Sequence, residues 1–393
     1  MVLRLERRIA FYIAASFVYA ALVTCLALWS TGNLADFYNA RPARGEMGLG
    51  RFLIRGSRIV NGRHTPFAYA WRLVEPTKWT WLSTWIGYAV HQLGQWYILA
   101  KVQRTMIGKS TWSNEYRWWN WQMVYLNTFM MAYKLLQGHL FYDGLAIDVS
   151  EGTAQGSVIA VLIVALLLAV PRRGIAFNYG KFRSSDLFNE FMDFVKKYHG
   201  YVMSFGTIYN FHYHPAEGTV GHFGGFLYQS LLLWQSASFL HTSHCNKSWN
   251  LLLETWVFVH GTLTAICQPG TAWQIFSYGF VIIFLTNQIY DTPIPKQYPC
   301  LMAAAYAAFA VAAAIGFQYD RAYYRMTFVP VAEYMCLLLC IAVGIVTAAI
   351  VRRLHSRIAG QAIIVTAYIA TTAALTIGLA VILAGNLKVY NDY

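Results

Sequence analysis

The sequence predicts an all-α fold: a polytopic integral membrane helix bundle of about eleven transmembrane helices plus one interfacial amphipathic helix. Three observations predict it. Hydrophobic residues make up 57% of the 393 positions, charged residues only 12%, and the mean hydropathy is +0.40, whereas a soluble chain carries about 25% charged residues. Apolar stretches of the roughly 20 residues needed to cross ~30 Å of hydrocarbon recur along the chain. The basic residues between those stretches are unequally shared between the two faces they imply.

The first span covers 9–29. Arg4, Arg7 and Arg8 precede it and no small-residue cleavage site follows, so it reads as a retained span rather than a removed signal peptide. Further spans are predicted at 81–100, 118–138, 155–170, 198–213, 221–240, 249–267, 273–290, 299–317, 330–351 and 362–385; the one at 198–213 is short and polar. Just before it, Leu187, Phe191, Phe194 and Val195 recur at helical spacing between a Ser185/Asp186 cap and Lys196-Lys197. That pattern predicts an amphipathic helix over 185–197, lying in the membrane interface and leading into the fifth span. Three regions follow: 1–80 with the first span and a long basic loop, 81–290 as a polar-lined core bundle, and 291–393 as an apolar three-helix annex. In the annex polar positions such as Glu333, Thr371 and Thr372 are few.

With the N-terminus on the cytoplasmic-type face, the inner segments hold eighteen Lys/Arg, from Arg4 to Arg357. The outer segments beyond the first loop hold only Arg321, Arg325 and Lys388. The 30–80 loop runs against this pattern, with eight Lys/Arg on the outer side. Three accounts of it stay open: the loop escapes the rule by its length, it lies on the membrane surface, or the first span is placed differently. The sequon Asn246-Lys247-Ser248 falls on the inner side and is expected to be unmodified. The net charge of +13 does not indicate nucleic-acid binding, because the basic residues alternate with apolar spans instead of sharing one soluble face. Anionic membrane lipid is the expected partner. The six cysteines are scattered with no CxxC pair, which implies no disulfide framework or zinc knuckle.

An ionisable group at membrane depth costs roughly 2.5–3.5 kcal/mol on insertion scales, so such groups mark candidate sites. Thr84, Tyr88, His91 and Gln95 share one face of the second span. Asn120, Asn127 and Lys134 form a stripe on the third, and His222, Gln229 and Ser236 one on the sixth. Stripes of this kind are expected to face each other, since lipid leaves polar groups unsatisfied. Interhelical hydrogen bonding alone accounts for any single stripe; three together favour a hydrated or ligand-holding cavity. Lys134 lies near the outer end of its span, where its amine is expected to snorkel outward or to meet Asp143, while Glu254 lies near the opposite surface.

The densest constellation is His212, His214, Glu217 and His222 in the connection between the fifth and sixth spans. Imidazoles with a carboxylate suit zinc, copper or iron, so His212, His214 and His222 form one candidate metal set. Haem held between His91 and His222 or His260 is a second arrangement. His241 and His244 lie one ~30 Å helix away and cannot join the same metal. A di-iron hydroxylase with converging histidine boxes is therefore not indicated. No GxSxG elbow supports nucleophilic catalysis.

Gly156-Ser157 opens an apolar span ending at Pro171. His214 and His222 precede the span 221–240, and Leu252-Leu253-Glu254 runs to His260-Gly261-Thr262 ahead of Trp273. In these features residues 155–290 resemble the transmembrane protein 45 family of seven-span proteins. The resemblance implies a helical membrane fold more than a role, and the extra spans at both ends depart from a seven-span plan.

The function expected from the residues is of transport or binding type, with an intramembrane cavity lined by His91, Gln95, Asn127, Lys134, His222 and Glu254. A histidine there would exchange a proton near neutral pH. The alternatives are an intramembrane metal- or haem-dependent oxidoreductase using His212, His214 and His222, and a structural subunit whose stripes bind neighbouring membrane chains.

Overall fold

The computed structural model describes residues 7–31, 46–47, 51–52, 59–60, 63–64, 71, 73, 76–106, 112–149, 151–169, 173–175, 185–266, 272–354, 356, 358–367 and 369–370. Over these residues the chain is helical. The only strands described are two antiparallel pairs of two-residue strands, β1 (Glu46–Met47) with β2 (Arg51–Phe52) and β3 (Ile59–Val60) with β4 (Arg63–His64).

The helices begin where local chemistry satisfies their first amides. Helix α1 is Arg7–Thr31. Helix α2, Lys78–Thr105, starts behind Thr77, whose hydroxyl accepts the Thr80 N–H at 3.2 Å. Helix α3, Trp118–Phe141, opens with the Asn120 carboxamide accepting the Arg117 N–H at 3.0 Å. Helix α4 is Glu151–Ala169 and α5 is Asp186–Tyr213. Thr219 caps α6, Val220–Ala237. The Asn246 carboxamide, the sequon residue, accepts the Trp249 N–H at 3.1 Å and so caps α7, Lys247–Ile266. Then come α8 (Ala272–Thr286), α9 (Pro299–Gly316), α10 (Phe328–Arg353) and α11 (Ile358–Ala367).

Among the described residues three helical stretches are long and apolar enough to cross a membrane: Arg7–Ser30, Pro299–Gly316 and Tyr323–Arg353. Two expectations are corrected. The interfacial helix and the fifth span are one continuous α5 of 28 residues. No proline interrupts the segment, and burial resumes beyond the lysine pair at Ser204, Thr207 and Ile208. The stretch 273–290 is a helix only to Thr286 and then tightens into a 3₁₀ turn over Gln288–Asp291. Fifteen residues span about 22 Å, short of the hydrocarbon thickness. The tail of the expected last span, 371–385, lies outside the described residues.

The chain divides into two compact units, Met1–Val158 with Met203–Gly270, and Ile159–Val202 with Thr271–Asn386. This partition differs from the three expected regions. α1 packs into the first unit with α6, and α8 packs against α10 in the second. α4 and α5 each contribute to both units.

In the first unit α1, α2, α3, α6 and α7 alternate in direction. At one end Arg8 Nη1 meets His241 Nε2 at 2.8 Å, and the Tyr116 hydroxyl joins Tyr12 and Ser238 at 2.6 and 2.7 Å. Tyr12 stacks on Trp234 with centroids 4.9 Å apart. At the other end Gly144 sits so tightly on the end of α5 that a Cβ there would lie 2.2 Å from the Tyr213 carbonyl oxygen and 2.6 Å from that of His212.

In the second unit the short α8 is held at both ends by buried arginines. Arg325 Nη1 donates to Gln274 at 2.8 Å and to Asp320 at 2.5 Å, while Arg173 donates to Asn287 at 2.9 Å and to Asp291 at 2.5 Å. Leu166, Leu167, Phe188, Phe191 and Leu337 form the apolar core beside them.

Candidate functional site

The polar stripes predicted on α2, α3 and α6 meet inside the first unit. His91, Asn127, Gln95 and His212 are at most 1% exposed. Asn127 organises them. Its Nδ2 donates to the Leu233 carbonyl at 2.7 Å and to Ser236 Oγ at 3.1 Å, and a carbonyl partner fixes the amide orientation. Asn127 Oδ1 therefore faces His91 and Gln95, accepting from Gln95 Nε2 at 2.7 Å and from His91 Nε2 at 3.1 Å. With Nε2 donating, the neutral His91 ring accepts at Nδ1, and the donor is His212 Nε2 at 3.1 Å. Gln95 Nε2 reaches Ser236 at 3.2 Å, and Gln95 Oε1 accepts from Ser204 at 2.9 Å. Four helices, α2, α3, α5 and α6, are thus tied through one connected set of hydrogen bonds.

The second cluster lies toward the α3–α4 turn. Lys134 is 1% exposed, and its amine donates to Gln137 Oε1 at 3.2 Å instead of snorkelling outward. Gln137 in turn donates to Thr84 Oγ1 and to the Asp143 carbonyl. The Asp143 carboxylate, an electrostatic neighbour of Lys134, accepts the Leu73 N–H at 2.9 Å and the Gly144 N–H at 3.1 Å. Glu217 accepts the Tyr142 hydroxyl and the Gly218 N–H, both at 2.7 Å. Tyr142 carries φ 70 and ψ −61, with the Asp143 N–H on the Phe141 carbonyl at 3.0 Å, a γ-turn that costs about 1–3 kcal/mol for a bulky residue; its hydroxyl bond to Glu217 helps to hold it.

His222 hydrogen-bonds Thr219 at 2.7 Å through Nδ1. Thr219 Oγ1 also accepts the His222 N–H at 3.2 Å, tying the ring to the start of α6. The His214 and His222 rings stand edge to face at 5.9 Å, and Trp71 is edge-on to His222 at 5.1 Å. His214, in the connection between α5 and α6, is pushed down to about 3, first by burial and then by the nearby His260 and Lys134. His260 packs on Gly224 and Gly225, where a Cβ would come within 3.2–3.3 Å of its ring.

Of the six expected lining residues, His91, Gln95 and Asn127 touch one another. Lys134 and His222 belong to the second cluster, and Glu254 is half-buried beside Tyr228. The candidate metal trio is not arranged as ligands: His212 turns to His91, and among the described residues no three His, Cys, Asp or Glu side chains group closely enough to hold a metal ion. His91 uses both ring nitrogens, so neither is available to haem iron. Sequence reasoning missed Trp71, Tyr142, Ser204 and Gln137. Gln137, three residues beyond Lys134 on the same helical face, carried a readable signal; the others come from loops or from a distant helix. Comparison of the chain with protein-family models, with characterised proteins and with solved structures finds no match.

Proposed function

We propose that this chain is a multi-spanning integral membrane protein of transport or binding type. Several of its helices cross the bilayer, the N-terminus lies on the cytoplasmic-type face, and lipid covers the outer surface. One observation carries the reading: α2 is inside out. It buries Thr80, Thr84, His91, Gln92 and Gln95 and exposes Leu82, Ile86, Val90 and Leu93. α3 does the same, burying Asn120, Asn127, Lys134 and Gln137 while exposing Tyr125, Phe129, Leu136 and Leu140.

In water such a helix would expose its apolar face and desolvate its polar one, the reverse of a stable arrangement. In lipid both faces are satisfied. The same pattern explains why these helices have modest overall hydropathy. The likeness of residues 155–290 to the transmembrane protein 45 family belongs to this reading and supplies a fold rather than an activity.

The hydrogen-bonded pair His212–His91 is the part of the interior suited to passing a proton, since neutral imidazole both donates and accepts. The structural-subunit alternative finds less support, because the stripes of α2 and α3 meet each other at Asn127 within one chain. Two measurements test the reading. Alkaline carbonate should leave the protein in the membrane fraction; release into the supernatant refutes the membrane assignment. Proteoliposomes with an internal pH dye should dissipate an imposed proton gradient faster than empty vesicles, and His91→Gln should abolish the difference. Wild-type leakage no faster than that of empty vesicles refutes the transport reading.

A further inference from the structure

One end of the first unit carries positive charge that the described residues leave unbalanced. Arg7 and Arg8 open α1, Lys101 and Arg104 close α2, Arg117 precedes α3, and Lys247 opens α7. The Arg8–His241 and Tyr12–Tyr116–Ser238 contacts bring the ends of α1, α3, α6 and α7 together there. Lys101, over the Trp118 ring, adds the end of α2. Among the described residues none of these cations enters an ion pair. Glu115 is the carboxylate at that end, and Glu254 lies about two turns deeper along α7. Asp143, Asp148 and Glu217 sit at the opposite end, against Leu73, Trp85 and Tyr142.

What these cations meet instead is aromatic. Arg8 Cζ lies 3.7 Å from the Tyr116 ring centroid, Lys101 Nζ 5.0 Å from that of Trp118, and Arg117 Cζ 5.3 Å from that of Trp119. A ring face holds a cation in place through its quadrupole and leaves most of its N–H donors for oxygen acceptors. We propose that this end of the first unit binds the headgroup phosphate of an anionic glycerophospholipid. This rests on the membrane reading above and names the lipid it would select.

Arginine and lysine donors suit phosphate oxygens, to which they make charge-assisted hydrogen bonds. Net charge selects the lipid. A phosphatidylcholine headgroup brings an ammonium with every phosphate, whereas an anionic headgroup offsets positive charge already in excess. Exposed side chains decide between a lipid and a free phosphate. Phe11 follows Arg8 on α1, Tyr97 precedes Lys101 on α2, and Trp121 and Tyr125 follow Arg117 on α3; all are exposed. These steps of three or four residues keep each cation and its aromatic neighbours on one helix face. Leu93 and Phe129, one turn deeper on α2 and α3, continue the exposed rows. Charge first, aromatic rings next and apolar surface beyond is the order in which a lipid presents its headgroup, interface and acyl chains.

The test is native mass spectrometry of the full-length protein in dodecylmaltoside, with dioleoyl phosphatidylglycerol, dioleoyl phosphatidylcholine or inorganic phosphate added in turn. Phosphatidylglycerol should bind roughly tenfold or more tightly than phosphatidylcholine (about 1.4 kcal/mol). Lys101→Gln combined with Arg117→Gln should remove most of that preference. Lys101→Gln alone, at an exposed position, keeps the test open should the double variant fail to elute as a monodisperse species. It should weaken phosphatidylglycerol about fivefold, the ~1 kcal/mol of one cation near an anionic surface. Arg321→Gln removes an exposed cation outside the first unit and should leave binding unchanged. The proposal is overturned if the two lipids bind equally or not at all, or if Lys101→Gln binds phosphatidylglycerol as tightly as wild type. It is overturned too if Arg321→Gln weakens binding as much, or if inorganic phosphate displaces the lipid at equal concentration. Carbonate extraction is read separately. A carbonate-resistant protein without lipid preference refutes this inference alone, whereas the preference in a protein that carbonate releases refutes the membrane-spanning reading alone.

Discussion

Asn127→Ala removes the residue on which the central network turns. Four hydrogen bonds disappear, to His91, Gln95, Leu233 and Ser236. Not all leave orphans. Gln95 Nε2 keeps Ser236, and the Leu233 carbonyl keeps the Ser236 hydroxyl at 2.7 Å. Among the described residues, His91 Nε2 alone is left without a partner. At about 0.6 kcal/mol for each interhelical hydrogen bond in a membrane protein, the four contribute about 2.4 kcal/mol. The orphaned buried N–H adds about 1–3 kcal/mol. The expected cost is about 3–5 kcal/mol, read from SDS-induced unfolding in mixed micelles. A double-mutant cycle with His91→Ala should show a coupling of about 0.5–2 kcal/mol, because the second substitution removes the orphan. A loss below about 0.5 kcal/mol for Asn127→Ala, the range of an ordinary surface change, would refute the idea that this network holds the bundle.

Three further outcomes are expected. Gly144→Ala forces a Cβ against two backbone carbonyls of α5, so it should destabilise by more than about 2 kcal/mol and weaken any property that depends on His212; wild-type unfolding of this variant would contradict the packing. Arg173→Ala leaves the Asp291 carboxylate without its partner, and since Asp291 keeps some access to water the cost should fall near the low end of the buried-pair range, about 3 kcal/mol. Asp291→Asn in the same chain should restore part of that loss, which an additive result in the unfolding assay would disprove. The His214 pKa lies near 3 in the folded chain against about 6.5 unfolded, so the native state binds fewer protons below pH 6.5. Its contribution is therefore present above pH 6.5 and is lost as pH falls toward 3, about 1–2 kcal/mol by pH 5. His214→Asn should flatten the acid limb of the unfolding-midpoint profile, and an unchanged limb would remove His214 as the cause.

Parts of the site were legible because helical periodicity is local. Thr84, His91 and Gln95 stand at i, i+7 and i+11, and Asn120, Asn127 and Lys134 every seven residues, so each stripe could be read without knowing its partner. Which groups complete the stripes could not. Ser204 and His212 reach His91 and Gln95 from α5, and Leu73 and Trp71 reach Asp143 and His222 from the end of the long basic loop. These are encounters between segments separated by tens of residues or more, and they have no signature in local spacing.

The amino-acid sequence by itself determined that the chain is helical, that its interior-facing positions on α2 and α3 are polar, and where most helices begin. Those properties follow from composition, periodicity and capping residues acting within a few turns. Only the tertiary structure decided that Lys134 turns inward to Gln137, that His212 pairs with His91 and not with His214 and His222 around a metal, and that α5 continues unbroken through Lys196 and Lys197. Each of these depends on which buried partner satisfies a polar group most completely, and that competition is settled between helices rather than along one.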